Sequence, residues 1–576
     1  MNNASLSRRD LMGRMSMAAV AASLGSSLVS KTGSAAQLSE APGGKAQEPV
    51  AAHENAGVRT YNVRHYGAKG DRKTLDTSAF QAAIDACTND KGGTVLVPAG
   101  EFLIGSIELK SNVTLHLAAA ARLLGSTKIE HYKKGVEDVA FGDYALVYAI
   151  DAENLSIEGK GIVDGQGAEF LPGAKDGGET RPGRPRPHLA VFLRCKNLSI
   201  RGVALRNSAF YSTHFNQCSY VYLDGIRIHS RVNFNNDGLH FDACEHVRVS
   251  NCDVACEDDA CGLFGNTRYV TITNCTFSAR WSVFRFGDGA AENITISNCV
   301  IYDTFGCPIK MQSRHGVRFE NILFSNLIMS NVTGPIYIGL GSPPPNSETW
   351  WYWTSGRAGE ARPGGIVRNI VFEGIRATIA PVSDLKDYPY AVGSPIDGIY
   401  AGEHRTCINL TAVEGQVIEN IAFRDIHVTF PGGGTAQEAA LRQVPQMSGN
   451  EYFSFGVLPA YGMYARNVRG LTLDDVRFDL ATPDLRPALV FDHVEDVALN
   501  GFSAQGNSEA ESLLRFTDTR EALLTACRVL TPCAAFLHVE GRANAGITVA
   551  ACDLSKATTP LVFSRGAGRE SVRLGS

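Results

Sequence analysis

One five-residue pattern recurs along most of this 576-residue chain and limits the folds that it can adopt. The pattern is an apolar residue, any residue, an apolar residue, any residue, and then Gly, Asn or Asp. Successive copies start roughly 25 residues apart, or about twice that distance, and a repeat of this length indicates a stacked, solenoid-like architecture. The copies start at Leu155, Leu198, Val221, Val247, Val270, Ile294, Ile322, Ile370, Ile421, Leu471 and Val497.

Each copy alternates in the manner of a half-buried β-strand, and its last residue tolerates a left-handed backbone. A single strand of this kind cannot bury its apolar face, whereas rungs stacked about 4.8 Å apart form a continuous core. The sequence therefore predicts an all-β, single-stranded, right-handed parallel β-helix over residues 58–576. A β-propeller needs four strands in each unit and a leucine-rich repeat needs a Leu-rich consensus. The sequence has neither pattern.

A short helix is predicted at the start of this domain, in "DTSAFQAAIDAC". Asp76 or Thr77 is the candidate N-cap, and Phe80 and Ile84 belong to an apolar stripe. Because terminal repeats of a solenoid expose core, we expect this helix to cap one end.

The N-terminus has the features of an export signal. Arg8 and Arg9 precede an apolar, Ala-rich run, and small residues at 34–36 offer a cleavage site. The pattern resembles a twin-arginine signal over residues 1–36, followed by a flexible linker over 37–57. The alternative is a disordered basic tail before a chance apolar run. The run is too short for a good membrane span, so we expect a periplasmic or secreted protein without membrane association after cleavage.

The 14 cysteines include no CxxC pair. Twin-arginine export carries proteins that have folded in a reducing cytoplasm, so we expect buried thiols and not a disulfide framework. A zinc cluster is the alternative, but no His–Cys spacing forms a four-ligand set. Cys252, Cys275 and Cys299 each follow a repeat strand, and we expect them to stack in an internal ladder.

Two acidic stretches, "NNDGLHFD" and "CEDDACG", fall at matching positions of successive repeats. Asp237 precedes the next copy of the pattern by nearly the same interval as Asp258 and Asp259 precede theirs. Equal phase on successive coils predicts one face, with the acids about 5 Å apart from rung to rung. Ser282, Arg285 and Lys310 follow in similar phase on the next rungs, where the count sets Ser282 and Lys310 level with Asp258.

Carboxyl groups at this spacing repel, so at least one should keep its proton near neutral pH. A protonated acid beside ionised partners is what cleavage of a glycosidic bond requires: a proton donor and a base that activates water. The alternative is structural, because Asp and Asn favour turns. Three acids in phase favour the chemical interpretation.

Over most of residues 59–505 the chain resembles glycoside hydrolase family 28, the polygalacturonases and their relatives. The family signature reads Asn-Thr-Asp, Asp-Asp, Gly-His-Gly and Arg-Ile-Lys on successive coils. "NND" from Asn235 to Asp237 matches the first element, and the Asp258–Asp259 pair matches the second. The resemblance implies that Asp258 is the general acid, that Asp237 and Asp259 hold and activate the water, and that configuration is inverted.

Two elements depart from the family. "RWSVFRFG" stands in place of Gly-His-Gly, and "PIK" keeps Lys310 but has Pro308 in place of arginine. These changes alter the basic clamp that the family uses for a galacturonate carboxylate. Arg280 or Arg285 is a candidate replacement. Otherwise the substrate is a neutral sugar or a differently placed uronate.

Other candidate substrate contacts are Asn235, Lys310 and His240, although His240 and His214 have a structural alternative. An insert near residues 341–365 contains Trp350 and Trp351, which either stack on sugar rings or pin the loop to the solenoid. A second insert, residues 431–464, resembles bacterial family members and is a candidate wall of the groove.

The leading prediction is an exported glycoside hydrolase acting on pectic galacturonan or a rhamnogalacturonan-like poly- or oligosaccharide. The first alternative is a polysaccharide lyase, with Lys310 or Arg285 as base and acids holding Ca²⁺. The second is a non-catalytic carbohydrate-binding β-helix. A net charge of -5 without a global basic field argues against nucleic acid as a partner. We expect no cofactor, no metal and a monomer.

Overall fold

The computed structural model describes residues 59–134, 144–170, 185–233, 235–313, 316–341, 364–381, 405–445 and 455–575. The predicted export signal and linker lie outside the described residues. So do Trp350 and Trp351, most of the first insert, and residues 446–454 of the second.

The described chain is a parallel β-helix, as the repeat predicts. Its 38 strands join in one sheet whose strand pairs are parallel. Each coil contributes a strand to three faces, which we call the site face, the second face and the third face. The five-residue patterns lie on the second face.

The site face and the second face contain most of the strands. Strands confined to the site face are Ile107–Glu108, Ala145–Ile150, His188–Leu193, Thr213–Asn216, Leu239–Asp242, Ile309–Ser313, Ile336–Leu340, Ile408–Ala412, Leu514–Thr517, Cys533–Glu540 and Ala557–Ser564. Strands confined to the second face are Thr60–Asn62, Gly93–Val97, Val113–Leu117, Glu153–Gly159, Lys196–Arg201, Ser219–Asp224, Glu245–Ser250, Arg520–Thr525, Ala545–Ala550 and Val572–Leu574.

The third face lies between the second face and the next coil's site face. Its own strands are Asp71–Leu75, Gly100–Ile104, Ala121–Gly125, Ile162–Asp164, Ala204–Arg206, Arg227–Ser230, Asp253–Cys256, Thr276–Ala279, Ser503–Ala504 and Arg528–Val529. Longer strands run through two or three faces: Cys261–Thr273, Phe284–Thr304, Arg318–Val332, Ile366–Ile379, Ile418–Phe430, Met463–Leu480 and Leu489–Asn500.

The core is built by stacking the same inward position on successive rungs. Phe324, Phe372 and Phe423 are fully buried, and their ring centroids are 5.1 and 4.9 Å apart. This spacing follows from the distance between parallel strands, about 4.8 Å. The three rings therefore form a continuous column through three rungs of the interior.

Ladders of polar side chains and thiols line the turns. Asn321 donates to Asn293 and accepts from Asn369, each at 3.2 Å, and all three have left-handed φ angles of 57° to 58°. The predicted thiol ladder is confirmed: Cys252, Cys275 and Cys299 are buried on successive rungs. All 14 cysteines are free thiols.

The predicted capping helix is Thr77–Asn89, and it buries Phe80 and Ile84 at the first rungs. Asp76 occupies the N-cap position but makes no side-chain cap. Its carboxylate instead accepts from the Lys69 and Gly70 amides at 2.7 and 2.9 Å, because the preceding turn brings those donors closer.

The remaining helices are short. A capping box between Thr435 and Glu438 starts the helix Ala436–Ala439. The 3-10 helices among the described residues are Val63–Tyr66, Ile129–His131, Gly167–Phe170 and Arg569–Ser571. No helix in the described part of the chain is long and apolar enough to cross a membrane.

The ring column gives a stability prediction. Replacing Phe372 with Ala opens a cavity between two stacked rings and should lower the free energy of unfolding by about 3–5 kcal/mol. Urea unfolding followed by circular dichroism measures the loss. Phe372→Leu keeps more of the volume and should lose clearly less. Equal stability of the two variants would contradict the role of the column.

Candidate active site

Five positions on the site face form one line across neighbouring strands. His214 pairs with His240, His240 with Gly262, Gly262 with Arg285, and Arg285 with Lys310. We call this line the site column. It sets one side chain of each rung beside the next, so sequence-distant groups become neighbours.

The acids precede the site column. The Gly238 amide donates to the Asp259 carbonyl at 2.9 Å, and the Ala260 amide donates to the Ser282 carbonyl at 2.8 Å. This ladder sets Asp237, Asp259 and Ser282 on three successive rungs, with Asp258 one residue earlier.

The position of Lys310 along its rung differs from the one predicted by counting back from the next repeat, which placed it level with Ser282. It pairs instead with Arg285. The repeat step that contains Lys310, from Ile294 to Ile322, is longer than the step before it, and the extra residues follow Lys310 before the next strand of the second face. Counting back from that strand therefore misplaces it.

The three carboxyl groups lie close enough to perturb one another. Burial raises the pKa of Asp237 well above its usual value, and the charge of Asp259 raises that pKa further. Burial also raises the pKa of Asp258, with the charges of Asp237 and Asp259 as the next causes. Asp237 and Asp259 are buried, whereas Asp258 is half-buried and can be reached from outside. The structure thus brings the predicted acids together.

Asp258 is held by two donors. Asn235 Nδ2 donates to Oδ2 and the Asp259 amide donates to Oδ1, both at 3.0 Å. Asn235 adopts a left-handed φ of 52°, and its Oδ1 accepts from Arg186 Nη2 at 3.0 Å. Asn236, where the family has Thr, is fully buried and bonds four backbone groups of the surrounding turns. The turn that carries Asp237 is therefore fixed.

Asp237 has an imidazole partner. His240 Nδ1 lies 3.1 Å from Asp237 Oδ2, and the ring is stacked between Tyr211 and Phe264, each centroid 4.7 Å away. Burial lowers the pKa of His240 to about 4, so the imidazole is neutral at neutral pH. Gly262 leaves room for this ring, because a Cβ there would lie 2.8 Å from His240 Nδ1. A neutral His240 can donate its Nδ1 proton to Asp237.

Asp259 has a hydroxyl and a guanidinium beside it. Ser282 Oγ donates to Oδ1, and Arg285 Nε lies 3.9 Å from Oδ2. Arg285 also donates to Gln312 Oε1 and to the Phe286 carbonyl. These contacts hold the guanidinium at the edge of the acid cluster.

The two candidate replacements for the basic clamp lie in different surroundings. Arg285 neighbours Lys310 on the site column, and the Lys310 charge acts to lower the pKa of Asp258. Lys310 Nζ lies 4.7 Å from the Trp281 ring centroid. Arg280 is fully buried and donates to the Phe305 carbonyl at 3.1 Å. The position of Arg285 makes it the better candidate.

Three residues of the site were not identified from the sequence. Arg186 contacts Asn235 and lies over Phe210, and burial lowers its pKa to about 10. Tyr211 and His188 continue the line of Asp237 on the two preceding rungs. Each precedes its next repeat by the same interval as Asp237, so the count that found the acids would have found both.

The second insert packs on the site face beyond Lys310. Arg515 donates to the Ala439 and Leu441 carbonyls at 2.6 and 2.9 Å. Tyr337, the next member of the column after Lys310, is buried against Phe455 with ring centroids 5.9 Å apart. The described part of the insert therefore covers the rungs that follow Lys310.

Within the described residues, one group of three side chains has convergent metal-ligating atoms: Glu511, His538 and Glu540. Arg442 donates to both glutamates at 2.7 Å, and Arg515 donates to Glu511 at 2.7 Å. Because guanidinium groups already bind the carboxylates, this group is an ion-pair cluster that fixes the second insert.

Comparison with known proteins identifies related hydrolases. The family model described as glycosyl hydrolases family 28 matches residues 87–384. Polygalacturonase-2 of Solanum lycopersicum is 26% identical over 393 residues, which cover 65% of this chain and 80% of the relative. Exo-poly-alpha-D-galacturonosidase of Dickeya chrysanthemi is 28% identical over 337 residues, and the match spans 47% of this chain and only 56% of that relative.

Two solved structures share the fold. The hyperthermoactive exopolygalacturonase from Thermotoga maritima is 20% identical, with 65% of this chain and 87% of that chain covered and a TM-score of 0.51. The family 28 exopolygalacturonase of Yersinia enterocolitica is 18% identical, with 76% and 78% covered and a TM-score of 0.52.

The raised pKa of Asp237 predicts a pH-dependent gain in stability for Asp237→Asn. A carboxyl whose folded-state pKa exceeds its unfolded value loses stability as pH rises through the folded pKa. The neutral amide avoids this loss, so the variant should unfold at a higher temperature than the wild type at pH 7. Below about pH 4 both forms are neutral and the difference should vanish.

Calorimetric scans of both proteins from pH 4 to 8 measure this effect. The exposed Glu153, replaced by Gln, is the control and should leave the unfolding temperature unchanged at every pH. A lower unfolding temperature for Asp237→Asn at pH 7 would show that ionised Asp237 stabilises the fold.

Proposed function

Because this chain belongs to the glycosyl hydrolases of family 28, we propose that it hydrolyses galacturonate-containing polysaccharides or oligosaccharides by an inverting acid–base mechanism. The observation that carries this proposal is the set of three carboxyl groups on adjacent rungs, two of them with raised pKa values. A single cleft then offers a proton donor and a base, which hydrolysis with inversion requires.

Asp258 is the general acid in this mechanism. Burial and two neighbouring negative charges raise its pKa, so it keeps its proton at the pH where an ordinary aspartate is ionised. Its partial exposure gives the leaving oxygen access to that proton. As the glycosidic bond breaks, the proton passes to the departing sugar and Asp258 becomes a carboxylate.

Asp237 and Asp259 hold the attacking water. Asp259 accepts a hydrogen bond from the Ser282 hydroxyl and lies beside Arg285. His240 fixes the orientation of Asp237 through Nδ1. The water gives one proton to this pair while its oxygen attacks the anomeric carbon from the side opposite the leaving group.

Cations beside the acids support an acidic substrate. Arg285 and Lys310 occupy adjacent rungs of the site column, and Arg186 lies on the other side of Asn235. The guanidinium of the partly exposed Arg285 can bind a uronate carboxylate, and the buried Lys310 ammonium one rung away adds positive charge beside it. The relatives that bear the names polygalacturonase and exo-poly-alpha-D-galacturonosidase favour the same sugar.

Asp258→Asn tests the assignment of the acid. The amide cannot donate the required proton to the leaving group, so kcat on pectic galacturonan should fall by about 10²- to 10⁴-fold. Glu153→Gln is the control and should keep wild-type kcat. Assays on galacturonan, rhamnogalacturonan and neutral polysaccharides measure reducing ends, and proton NMR identifies the anomer formed first.

The expected products are saturated, with the anomeric configuration inverted. An unsaturated, ultraviolet-absorbing product would indicate a lyase instead. Undiminished activity of Asp258→Asn would remove Asp258 from the mechanism, and cleavage of neutral polysaccharides alone would exclude the uronate substrate.

We also propose export through the twin-arginine pattern at Arg8 and Arg9. Replacing both with lysine should keep the protein in the cytoplasm, which cell fractionation measures by immunoblot. Unchanged export of the doubly substituted chain would contradict this route.

A further inference from the structure

The third face carries a surface cavity of about 420 Å³ that is not lined by Asp237, Asp258 or Asp259. Arg206 and His229 line it on one row of the face, and Arg227 and Asp253 line it on the neighbouring row. Tyr302, whose side chain is 39% exposed, closes one end. The mechanism proposed above uses none of these residues.

The cavity follows from side-chain size along one register line. Arg206 pairs with His229, His229 with Ala255, Ala255 with Ser278, and Ser278 lies on the rung before Tyr302. Along this line, the small side chains of Ala255 and Ser278 therefore lie between the larger side chains of His229 and Tyr302. Because rungs are about 4.8 Å apart, the gap of two small side chains leaves a depression in the surface.

Some arginines of the second face have carboxylate partners. There, Arg268 pairs with Glu245 and Arg368 with Glu320, each at 2.6 Å. In the described chain no carboxylate forms an ion pair with the guanidinium of Arg206 or Arg227. These two charges have no carboxylate partner among the described residues, so they are available to an anion.

The other polar groups around the cavity leave its positive character intact. Asp253 Oδ1 accepts from Thr276 Oγ1 at 2.6 Å and does not reach Arg227. Arg231 Nη2 donates to Ser278 Oγ at 2.6 Å. Burial lowers the pKa of His229, and the charges of Arg231 and Arg206 lower it further, so positive charges converge here.

We propose that this cavity is a second binding site for the acidic polysaccharide, separate from the catalytic cleft. Uronate carboxylates bind Arg206 and Arg227, and a sugar ring packs on the exposed ring of Tyr302. The identity of the sugar rests on the proposed function; the requirement for an anion rests on the cavity alone. A polymer chain held at this second site has a higher effective concentration of its glycosidic bonds near the catalytic cleft.

The double variant Arg206→Ala/Arg227→Ala tests the site, in an Asp258→Asn background that slows cleavage by about 10²- to 10⁴-fold. Electrophoresis through gels containing polygalacturonate measures affinity for the polymer. We expect about fivefold weaker retention than in the parent, consistent with the loss of two exposed ion pairs. The matched control, Arg368→Ala/Arg469→Ala, removes the same charge from the second face and should keep parental retention.

Equal retention of parent and Arg206→Ala/Arg227→Ala, or equal weakening of both double variants, would overturn the inference. So would inorganic phosphate that releases the parent as effectively as a galacturonate trimer at equal concentration, because that identifies an adventitious small-anion site.

Hydrolysis of a galacturonate trimer by chains with intact Asp258 separates this inference from the proposed function. Trimer turnover should be the same with and without the Arg206→Ala/Arg227→Ala pair. If retention in the gel depends on Arg206 and Arg227 but the protein does not cleave the trimer, the proposed function is contradicted and the second binding site is still supported.

Discussion

The register of the parallel strands is the constraint on which the rest of the structure depends. Each rung buries its inner side chains only against the same positions of its neighbours, as the column through Phe372 does. A slip of one residue would turn that column outward. The register that aligns the core side chains therefore also aligns the outward-facing side chains of successive rungs. It determines which acids and cations of the site are neighbours.

The same constraint makes the acid cluster costly. Rung spacing forces carboxyl groups together that would repel in solution, and burial raises two pKa values further. Each rung of a solenoid contacts only its neighbours, so this cost is confined to a few rungs of a long core. An amide, an imidazole and a hydroxyl each bond a different acid. The three carboxyl groups thus have different surroundings. Different surroundings are needed if one carboxyl group is to act as an acid and another as a base.

Repeat phase predicted the fold and the meeting of the acids, because both follow from period and register. It would also have identified Tyr211, which has the phase of Asp237. Arg186 could not be found this way, since it precedes its strand in an irregular Pro-rich stretch. Lys310 was misplaced because phase is reliable only where no residues are inserted between the faces being compared. The hydrogen-bond partners of Asp76 could not be predicted from the sequence either. The amides that it accepts from are placed by the conformation of the preceding turn, which the repeat period does not determine.

The rung that carries Pro308 keeps its register with the preceding rung, which carries Arg285. Pro308 replaces the family's arginine, yet its carbonyl still accepts the Phe284 amide at 2.8 Å, so the rung remains paired. Arg285 stands on the preceding rung in line with Lys310, where a guanidinium lies beside both the lysine and Asp259. A guanidinium and an ammonium therefore lie on adjacent rungs of the site column. Arg285 acts to lower the pKa of Asp237 and Lys310 acts to lower the pKa of Asp258, yet burial and the neighbouring carboxylates keep both pKa values well above the usual value, so the cations and the proton donor coexist in one site.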